Sequence, residues 1–260
     1  MGTLVCFHAH PDDECIATGG VMAKAADEGH RVVLVVATKG EHGEVADGFL
    51  APGELLAERR VRETHAAAVE LGVHRVEFLG YVDSGMIDTP ENVLDGSFWT
   101  ADVEEAAGRL AAILHEESAD VLTVYDDHGA YGHPDHIQVH RVGVRAAELA
   151  GTPRVFQSTI NRDAVLRTIK EHPPVAGGGE ELRAIEDDPL FGTPEDQITC
   201  QVDVTAYIGR KRAAMRAHAS QIPEEHFMLA MPDDAFLAVF GVEWFIRDGQ
   251  GPGITETSVT

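Results

Sequence analysis

Two segments rich in histidine and aspartate contain side chains that could bind a metal ion and move protons. The first segment, residues 8–14, reads His-Ala-His-Pro-Asp-Asp-Glu and follows a short apolar run. His10 and Asp13 are three residues apart, so a turn can aim both side chains at one point, and Asp12 must then point elsewhere. A hydrolytic metal site needs one carboxylate on the ion and a second that is free to take a proton from water. The split between Asp12 and Asp13 fits this chemistry.

The simplest interpretation of each of these residues alone is a solvated acidic turn with a capping aspartate. That interpretation does not suit the whole group. The carboxylates of Asp12, Asp13 and Glu14 stand beside a histidine directly after a predicted buried strand. Their mutual repulsion costs stability unless a cation or a function compensates for it. We therefore interpret the segment as functional.

The second segment, residues 126–140, contains four histidines, one tyrosine and three aspartates at a predicted strand-to-helix junction. Pro134 suits the first position of the helix, and two glycines before it let the backbone approach a ligand closely. Two histidines and one carboxylate with an open fourth position form a catalytic zinc arrangement. His10, Asp13 and one histidine of the second segment supply that set, and iron(II) or another divalent ion fits the same ligands.

An alternation of apolar strands and amphipathic helices predicts the fold that positions these segments. We expect strands at 4–7, 31–38, 75–79, 121–125 and 154–158, with helices at 17–28, 54–71 and 102–117 and a further helix from Pro134. The first strand, helix and strand form a βαβ unit, which implies a parallel sheet. Ligands of such sheets bind at the carboxyl ends of the strands. The sequence therefore predicts an α/β, Rossmann-like three-layer fold with a mostly parallel central sheet and the active site at that edge, beside a loop at 39–53.

The C-terminal part of the chain has weaker patterns. We expect a surface excursion that covers the cleft at 173–197, a strand at 198–202, a helix at 206–218, a strand at 239–246 and a flexible tail at 249–260. Neither an internal repeat nor a domain boundary stands out. We therefore expect a single domain over 1–260, with a core at 3–160 and a variable portion at 161–248 that shapes the substrate cleft.

Composition limits the partners. With 44 acidic and 20 basic residues the net charge is −24, which disfavours binding to nucleic acid and to anionic lipid. The chain has neither an apolar run of about 18 residues nor a signal-peptide pattern, and its three cysteines fit a reducing compartment. We expect a cytoplasmic protein with a small-molecule partner and without a nucleic acid or membrane partner. The composition is also compatible with a homo-oligomer.

The segments 9–14 (Ala-His-Pro-Asp-Asp-Glu) and 132–136 (Gly-His-Pro-Asp-His) resemble the signature of the PIG-L/LmbE-like zinc-dependent N-acetylglucosamine deacetylases. Residues 60–63 with 71–73 match this family as well. Residues 80–86 (Gly-Tyr-Val-Asp-Ser-Gly-Met) are similar to the branch that includes the mycothiol-biosynthesis deacetylase and the mycothiol S-conjugate amidase. The resemblance covers the predicted core of the chain.

This resemblance implies roles for particular residues. The implied zinc ligands are His10, Asp13 and His136. The implied catalytic residues are Asp12 as general base, Tyr131 as a donor to the oxyanion, His133 as acid or electrostatic stabiliser, and Asp135 as the residue that orients His133. The positions that match contacts to the sugar conjugate are Arg60, Asp83 and Met86.

The leading hypothesis is a zinc-dependent hydrolase that removes the N-acetyl group from a GlcNAc-containing small molecule, such as a GlcNAc-inositol or mycothiol-type conjugate. One alternative is an amidase that cleaves a larger acyl amide of a glucosamine conjugate, such as a mycothiol S-conjugate. Another is phosphate-ester hydrolysis, which is disfavoured because the motifs supply ligands for one ion whereas many phosphatases use two. A third is a non-catalytic zinc or sugar-binding module, which would need neither a spare base nor a spare acid.

Overall fold

The computed structural model describes residues 1–171, 188 and 190–260. In this part of the chain one sheet contains seven strands: β1 Thr3–His8, β2 Arg31–Val36, β3 Arg75–Phe78, β4 Val121–Tyr125, β5 Arg154–Thr159, β6 Cys200–Asp203 and β7 Val242–Arg247. Their order is β3-β2-β1-β4-β5-β7-β6. Strands β1 to β5 pair in parallel, and β7 is antiparallel to both of its neighbours. The predicted α/β fold with a mostly parallel sheet is confirmed.

Helices cover both faces of this sheet. They are α1 Asp13–Ala17, α2 Gly19–Asp27, α3 Leu56–Leu71, α4 Val103–Glu116, α5 Gly129–Gly132, α6 Pro134–Ala150, α7 Arg162–Glu171, α8 Ile208–Ala217, α9 Phe227–Ala230 and α10 Asp233–Phe240. Successive side chains of a strand point to opposite faces. In β1, Leu4 and Cys6 pack in an apolar cluster with α2, α3 and α8, whereas Val5 and Phe7 pack in a second cluster with α4 and α6. The continuous apolar run is therefore explained by burial on both faces.

The pairing of β1 with β4 brings the two polar segments together. Leu4 lies opposite Val121 and Cys6 opposite Thr123 in this parallel pair. The chain runs outward from β1 to β2 and β3 and then returns to β4 on the other side of β1. Such a reversal of strand order opens a crevice at the carboxyl ends, and both segments leave their strands there.

Two of the differences between the predicted and the observed elements have a clear structural cause. The helix expected at 17–28 corresponds to α2, and a short helix that was not predicted, α1, precedes it and is separated from it at Thr18. Thr18 is buried and its hydroxyl forms a 2.8 Å hydrogen bond with His8 Nε2, so it faces the strand rather than continuing a helical surface. The strand expected at 239–246 begins at Val242, because residues 239 and 240 complete α10.

The prediction of a flexible tail at 249–260 is wrong, because the second half of this segment packs against the rest of the chain. The backbone N–H groups of Thr255 and Glu256 both donate to the carbonyl of Thr199, which precedes β6. Val259 is only 2% exposed and packs in the core. These contacts hold the end of the chain against the edge of the sheet. No pattern in the sequence predicts either the backbone hydrogen bonds or the burial of this one valine.

The excursion predicted at 173–197 lies mostly outside the described residues. Of its described part, Glu195–Gln197 forms a short 3₁₀ helix. No helix among the described residues is long and apolar enough to cross a membrane.

Candidate active site

The three predicted metal ligands come together at the carboxyl ends of β1 and β4. His10 Nδ1 lies 3.3 Å from Asp13 Oδ2, and His136 Nε2 lies 3.4 Å from the same oxygen. Ligand atoms placed tetrahedrally about 2.0–2.1 Å from a zinc ion are about 3.3–3.4 Å apart. Both separations therefore match the edges of such a tetrahedron.

The ring nitrogens of His136 are a second indication of a cation site. Both are buried, and neither has a hydrogen-bond partner among the described residues. The ring is stacked on Tyr125, with centroids 4.2 Å apart and planes 9° from parallel. A buried polar group without a partner costs about 1–3 kcal/mol, so a histidine held this firmly with free nitrogens fits a metal ligand. Two imidazoles and a carboxylate suit zinc or iron(II).

Carboxylates also contact the other side of the His10 ring. His10 Nε2 lies 3.0 Å from Asp135 Oδ2 and 3.5 Å from Asp83 Oδ1. Burial alone would lower the pKa of His10, but the hydrogen bonds with the surrounding carboxylates hold this pKa well above its ordinary value. Metal-binding histidines commonly donate their second ring N–H to a carboxylate. The surplus of negative charge therefore favours a cation beside Nδ1.

Asp135 contacts His133 through its backbone and not through its carboxylate. The N–H of Asp135 donates to His133 Nδ1 over 3.1 Å, whereas Asp135 Oδ2 accepts the N–H of Ser84 and contacts His10. The contact between the two residues is thus present, but the carboxylate expected to orient His133 orients His10 instead. Because Nδ1 accepts a hydrogen bond, the proton of the neutral His133 ring is on Nε2.

His133 is neutral in this arrangement. Burial, together with the charges of His10 and His136, lowers the pKa of His133 to about 4. Its ring centroid lies 4.7 Å from that of His10. Ring nitrogens of His10, His133 and His136 also lie within 4.8 Å of one another, so these three histidines form a second candidate ligand set that shares two members with the predicted one.

The side chain of Asp12 contacts Arg60, whereas that of the neighbouring Asp13 contacts the two histidines. Asp12 precedes α1, yet its side chain makes no capping hydrogen bond, so the simple capping interpretation does not hold. Its Oδ2 lies 3.3 Å from Arg60 Nη2. Burial raises the pKa of Asp12 to about 6, while the charge of Arg60 opposes this rise and that of Asp13 adds to it. A carboxylate with this pKa is ionised at neutral pH and is a stronger base than usual.

Arg60 lines the site and also connects two of the segments that form it. The guanidinium is buried on α3 and donates from Nη1 to the carbonyl of Gly40 over 2.9 Å. Its Nη2 donates to the carbonyl of Pro11 and contacts Asp12. Arg60 therefore connects the loop after β2 with the turn after β1.

Tyr131 stands at the mouth of the site on the short helix α5. Its ring contacts that of His136 edge to face, with centroids 5.0 Å apart, and 42% of the residue is exposed. Ala130 has a φ of 65°, which is unusual for a residue with a Cβ. Asp126 Oδ1 fixes this turn by accepting the N–H of Ala130 over 2.6 Å. The backbone is thus held in a conformation that projects the tyrosine over the cavity.

A cavity of about 200 Å³ opens at this place. The predicted residues that line it are His10, Asp12, Asp13, Arg60, Asp83, Met86, Tyr131 and His133. Asp83 Oδ1 accepts the N–H of Gly85, and Oδ2 accepts that of His42. Met86 is half exposed at the rim. A larger depression of about 650 Å³ beside α7 contains none of the predicted site residues, so the chemistry points to the smaller cavity.

The family follows from a comparison with known proteins. The model of the PIG-L family, described as GlcNAc-PI de-N-acetylase, matches residues 5–147, which is more than half of the chain. The chain belongs to the PIG-L family. All three proposed ligands and all four proposed catalytic residues lie within the matched range.

Relatives extend the likeness beyond the range matched by the PIG-L model. The chain is 40% identical to a 1D-myo-inositol 2-acetamido-2-deoxy-alpha-D-glucopyranoside deacetylase from Streptomyces griseus, over 97% of this chain and 85% of that one. The N,N'-diacetylchitobiose deacetylase of Pyrococcus horikoshii is 22% identical with a TM-score of 0.59, over 95% of this chain and 83% of that one. GalB, a 4-carboxy-2-hydroxymuconate hydratase from Pseudomonas putida, is 19% identical with a TM-score of 0.61, over 99% of each chain. These two structures support the fold alone, since fold does not fix function.

The residues in and around this PIG-L site without a predicted role include two histidines, one that lines the cavity and one that is buried behind it. His42 lines the cavity from the loop predicted at 39–53, and the glycine- and acid-rich composition of that loop was the available signal. His218 is fully buried and lies 2.6 Å from Glu14. A single histidine 204 residues away from its partner has no local signal in the sequence.

Proposed function

We propose that this protein is a metal-dependent hydrolase that removes the N-acetyl group from a GlcNAc-inositol conjugate. The observation that carries the proposal is the arrangement of two adjacent aspartates: Asp13 faces two histidines at ligand distances, whereas Asp12 lines the cavity and contacts Arg60. Family membership and the activity of the Streptomyces griseus relative support the substrate class.

We propose zinc as the ion, held by His10, Asp13 and His136, although iron(II) fits the same donors. When bound there, a divalent ion supplies Lewis-acid activation of water and of the acetyl carbonyl. The second carboxylate contact of His10, from Asp135, fixes the ring so that Nδ1 remains directed at Asp13.

Asp12 acts as the general base in this proposal. Its carboxylate takes a proton from the attacking water, and its raised pKa makes it a better acceptor than an ordinary aspartate. Arg60 keeps Asp12 ionised before the reaction through their 3.3 Å contact. Amines leave poorly unless they are protonated, so Asp12 then returns this proton to the departing nitrogen.

His133 and Tyr131 stabilise the oxyanion. The Nε2–H of neutral His133 is free to donate, because Nδ1 is already occupied by the Asp135 N–H. A pKa of about 4 favours this role as a neutral donor over that of a general acid. The hydroxyl of Tyr131, whose ring contacts that of His133 edge to face, is the second proposed donor. Loss of one such donor typically costs on the order of 10²–10³ in rate.

Arg60, Asp83 and Met86 form the proposed sugar subsite. They line one wall of the cavity together with His42. Carboxylate and guanidinium groups suit the hydroxyls of a sugar, and Met86 offers an adaptable apolar contact at the rim.

We also propose that residues 1–260 act as one domain. We further propose that the protein is cytoplasmic, because its three cysteines are free and buried.

The test is release of amine and acetate by the zinc-loaded protein from a panel of compounds. The panel contains GlcNAc-inositol, a mycothiol S-conjugate, chito-oligosaccharides and a phosphate monoester, each with and without a chelator. We expect chelator-sensitive acetate release with the highest kcat/KM for GlcNAc-inositol. Faster cleavage of the S-conjugate would favour the amidase, phosphate release would favour a phosphatase, and sugar binding without any turnover would favour a binding module.

A further inference from the structure

Asp12 has an unusual backbone conformation. Its φ is 104° and its ψ is −30°, in a region that residues with a Cβ rarely occupy. Such a conformation is strained and persists only where surrounding contacts enforce it. The contacts of the Asp12 backbone therefore decide where its carboxylate points.

Glu14 makes one of these contacts. Its Oε2 accepts the backbone N–H of Asp12 over 2.9 Å. The Cys15 thiol and the Cys15 and Ile16 N–H groups all donate to the carbonyl of Asp12. The peptide units on both sides of the general base are therefore hydrogen-bonded, and the acceptor on the N–H side is a side chain rather than a backbone carbonyl.

His218 holds Glu14 in place from the C-terminal part of the chain. Its Nε2 lies 2.6 Å from Glu14 Oε1, and both residues are completely buried. A buried carboxylate without a partner is strongly destabilising. The contact with His218 therefore stabilises the Glu14 carboxylate that accepts the N–H of Asp12. Each oxygen of Glu14 thus has one partner: His218 on one side and the Asp12 N–H on the other.

The segment that follows α8 makes further contacts to elements of the site. Ser220 donates from its hydroxyl to Glu63 Oε2 over 2.6 Å, on the helix that carries Arg60. Gln221 donates to the carbonyl of Glu44 in the loop that lines the cavity. Residues 218–221 therefore connect three elements around the cavity, and of their contacts the one from His218 is made to the residue that hydrogen-bonds the backbone of Asp12.

We propose that Glu14 and His218 are positioning residues that fix the backbone of Asp12 and so aim its carboxylate at the substrate. Neither residue lines the cavity, so they act through Asp12 and not on the substrate. The inference rests on the proposed function, because it assumes that Asp12 is the base.

A second metal ion is the competing explanation, since ligand atoms of Glu14, Cys15 and His218 lie within 4.8 Å of one another. The Cys15 thiol is engaged with the carbonyl of Asp12, and both oxygens of Glu14 have hydrogen-bond partners. These contacts satisfy the cluster without an ion. We expect one zinc ion per chain in the active protein. A second zinc ion that is lost in a His218 variant would overturn the positioning role.

The test compares variants of the zinc-loaded protein. Glu14→Leu removes the acceptor and should lower kcat on the order of 10²-fold with little change in KM. Glu14→Gln keeps an acceptor for the Asp12 N–H and a donor for His218, and should retain kcat within about 5-fold. His218→Leu should lower kcat by about 10-fold or more. Ser220→Ala removes a buried bond of equal length in the same segment and serves as the matched control, with kcat within about 3-fold of wild type.

A double-mutant cycle separates positioning from general destabilisation. In an Asp12→Ala background, neither Glu14→Leu nor His218→Leu should lower the residual rate by more than about 2-fold, because the residue through which they act is gone. An undiminished effect in that background would overturn the inference, and so would an unchanged kcat in either single variant. If Glu14→Leu does not fold, the His218→Leu cycle carries the same test. A wild-type protein that releases no acetate would instead overturn the proposed function, and this inference with it.

Discussion

The Nε2 atom of His10 lies 3.0 Å from Oδ2 of Asp135, while Nδ1 of the same ring faces Asp13 at 3.3 Å. Asp135 is completely buried, and Ser84 fixes the same carboxylate oxygen by donating its backbone N–H. This carboxylate is therefore positioned to set the proton and the orientation of the imidazole that we propose as a metal ligand.

Asp135→Asn should weaken metal binding, on the order of 10- to 100-fold, since such outer contacts contribute that much in other metal sites. Competition between the apoprotein and a chromogenic chelator measures the affinity. The family resemblance implies a different role, in which Asp135 orients His133 and does not affect the metal ligand His10. Unchanged metal affinity together with reduced kcat would favour that role.

Replacing the two adjacent aspartates should have different consequences. Asp12→Ala should keep one metal ion per chain and lose on the order of 10²–10⁴ in kcat, because only the base is removed. Asp13→Ala should weaken binding of the ion, because it removes the only carboxylate of the three proposed ligands. Elemental analysis beside steady-state rates tests the pair, and full activity in Asp12→Ala would remove the assignment of the base.

The local parts of this site could be predicted from the sequence, whereas its long-range contacts could not. The apolar run at Leu4–Phe7 and the turn that follows it predict a strand end with His10 and Asp13 on one side, since strand burial and turn geometry are local properties. The pairing of Glu14 with His218 depends on how α8 packs beneath α1, and no local pattern encodes that. The same limit explains the wrong prediction for the C-terminal tail, where the burial of Val259 depends on the edge of the finished sheet.

The role of Asp135 shows a second limit. Its position two residues after His133 suggests a partnership between neighbours, and the backbone does supply one. The first turn of α6, however, directs its carboxylate toward the turn after β1, where His10 lies 125 residues away in the sequence. Proximity in sequence is thus a poor guide to the contacts of a side chain at a helix start.

Tyr131→Phe should lower kcat on the order of 10²-fold and leave KM within about 3-fold, because its hydroxyl is expected to bind the oxyanion more strongly than the substrate carbonyl. Tyr207→Phe is the matched control, since that hydroxyl contacts only the exposed Asp27 at 3.3 Å among the described residues. Equal rates for wild type and Tyr131→Phe would exclude the tyrosine from transition-state stabilisation.

A pH-dependent contribution to stability should come from Glu117, far from the active site. Arg31 on β2 and Arg75 on β3 both donate to its carboxylate. The hydrogen bond from Arg31, opposed by desolvation and aided by Arg75, lowers the pKa of Glu117 to about 2. Since the unfolded value is about 4.3, the stabilisation is complete above that pH and is lost as the pH falls toward 2.

Glu117→Gln should therefore lower the free energy of unfolding at pH 7 by about 1 kcal/mol, a modest amount because Arg31 is half exposed and solvent screens its charge. The difference in the free energy of unfolding between wild type and variant should stay constant from about pH 8 to pH 5.5 and shrink below pH 4.5. Urea unfolding at a series of pH values measures it, with acetate release at pH 7 as the control for an intact site. A difference that grows as the pH falls would have the wrong sign and would contradict the lowered pKa of this carboxyl group.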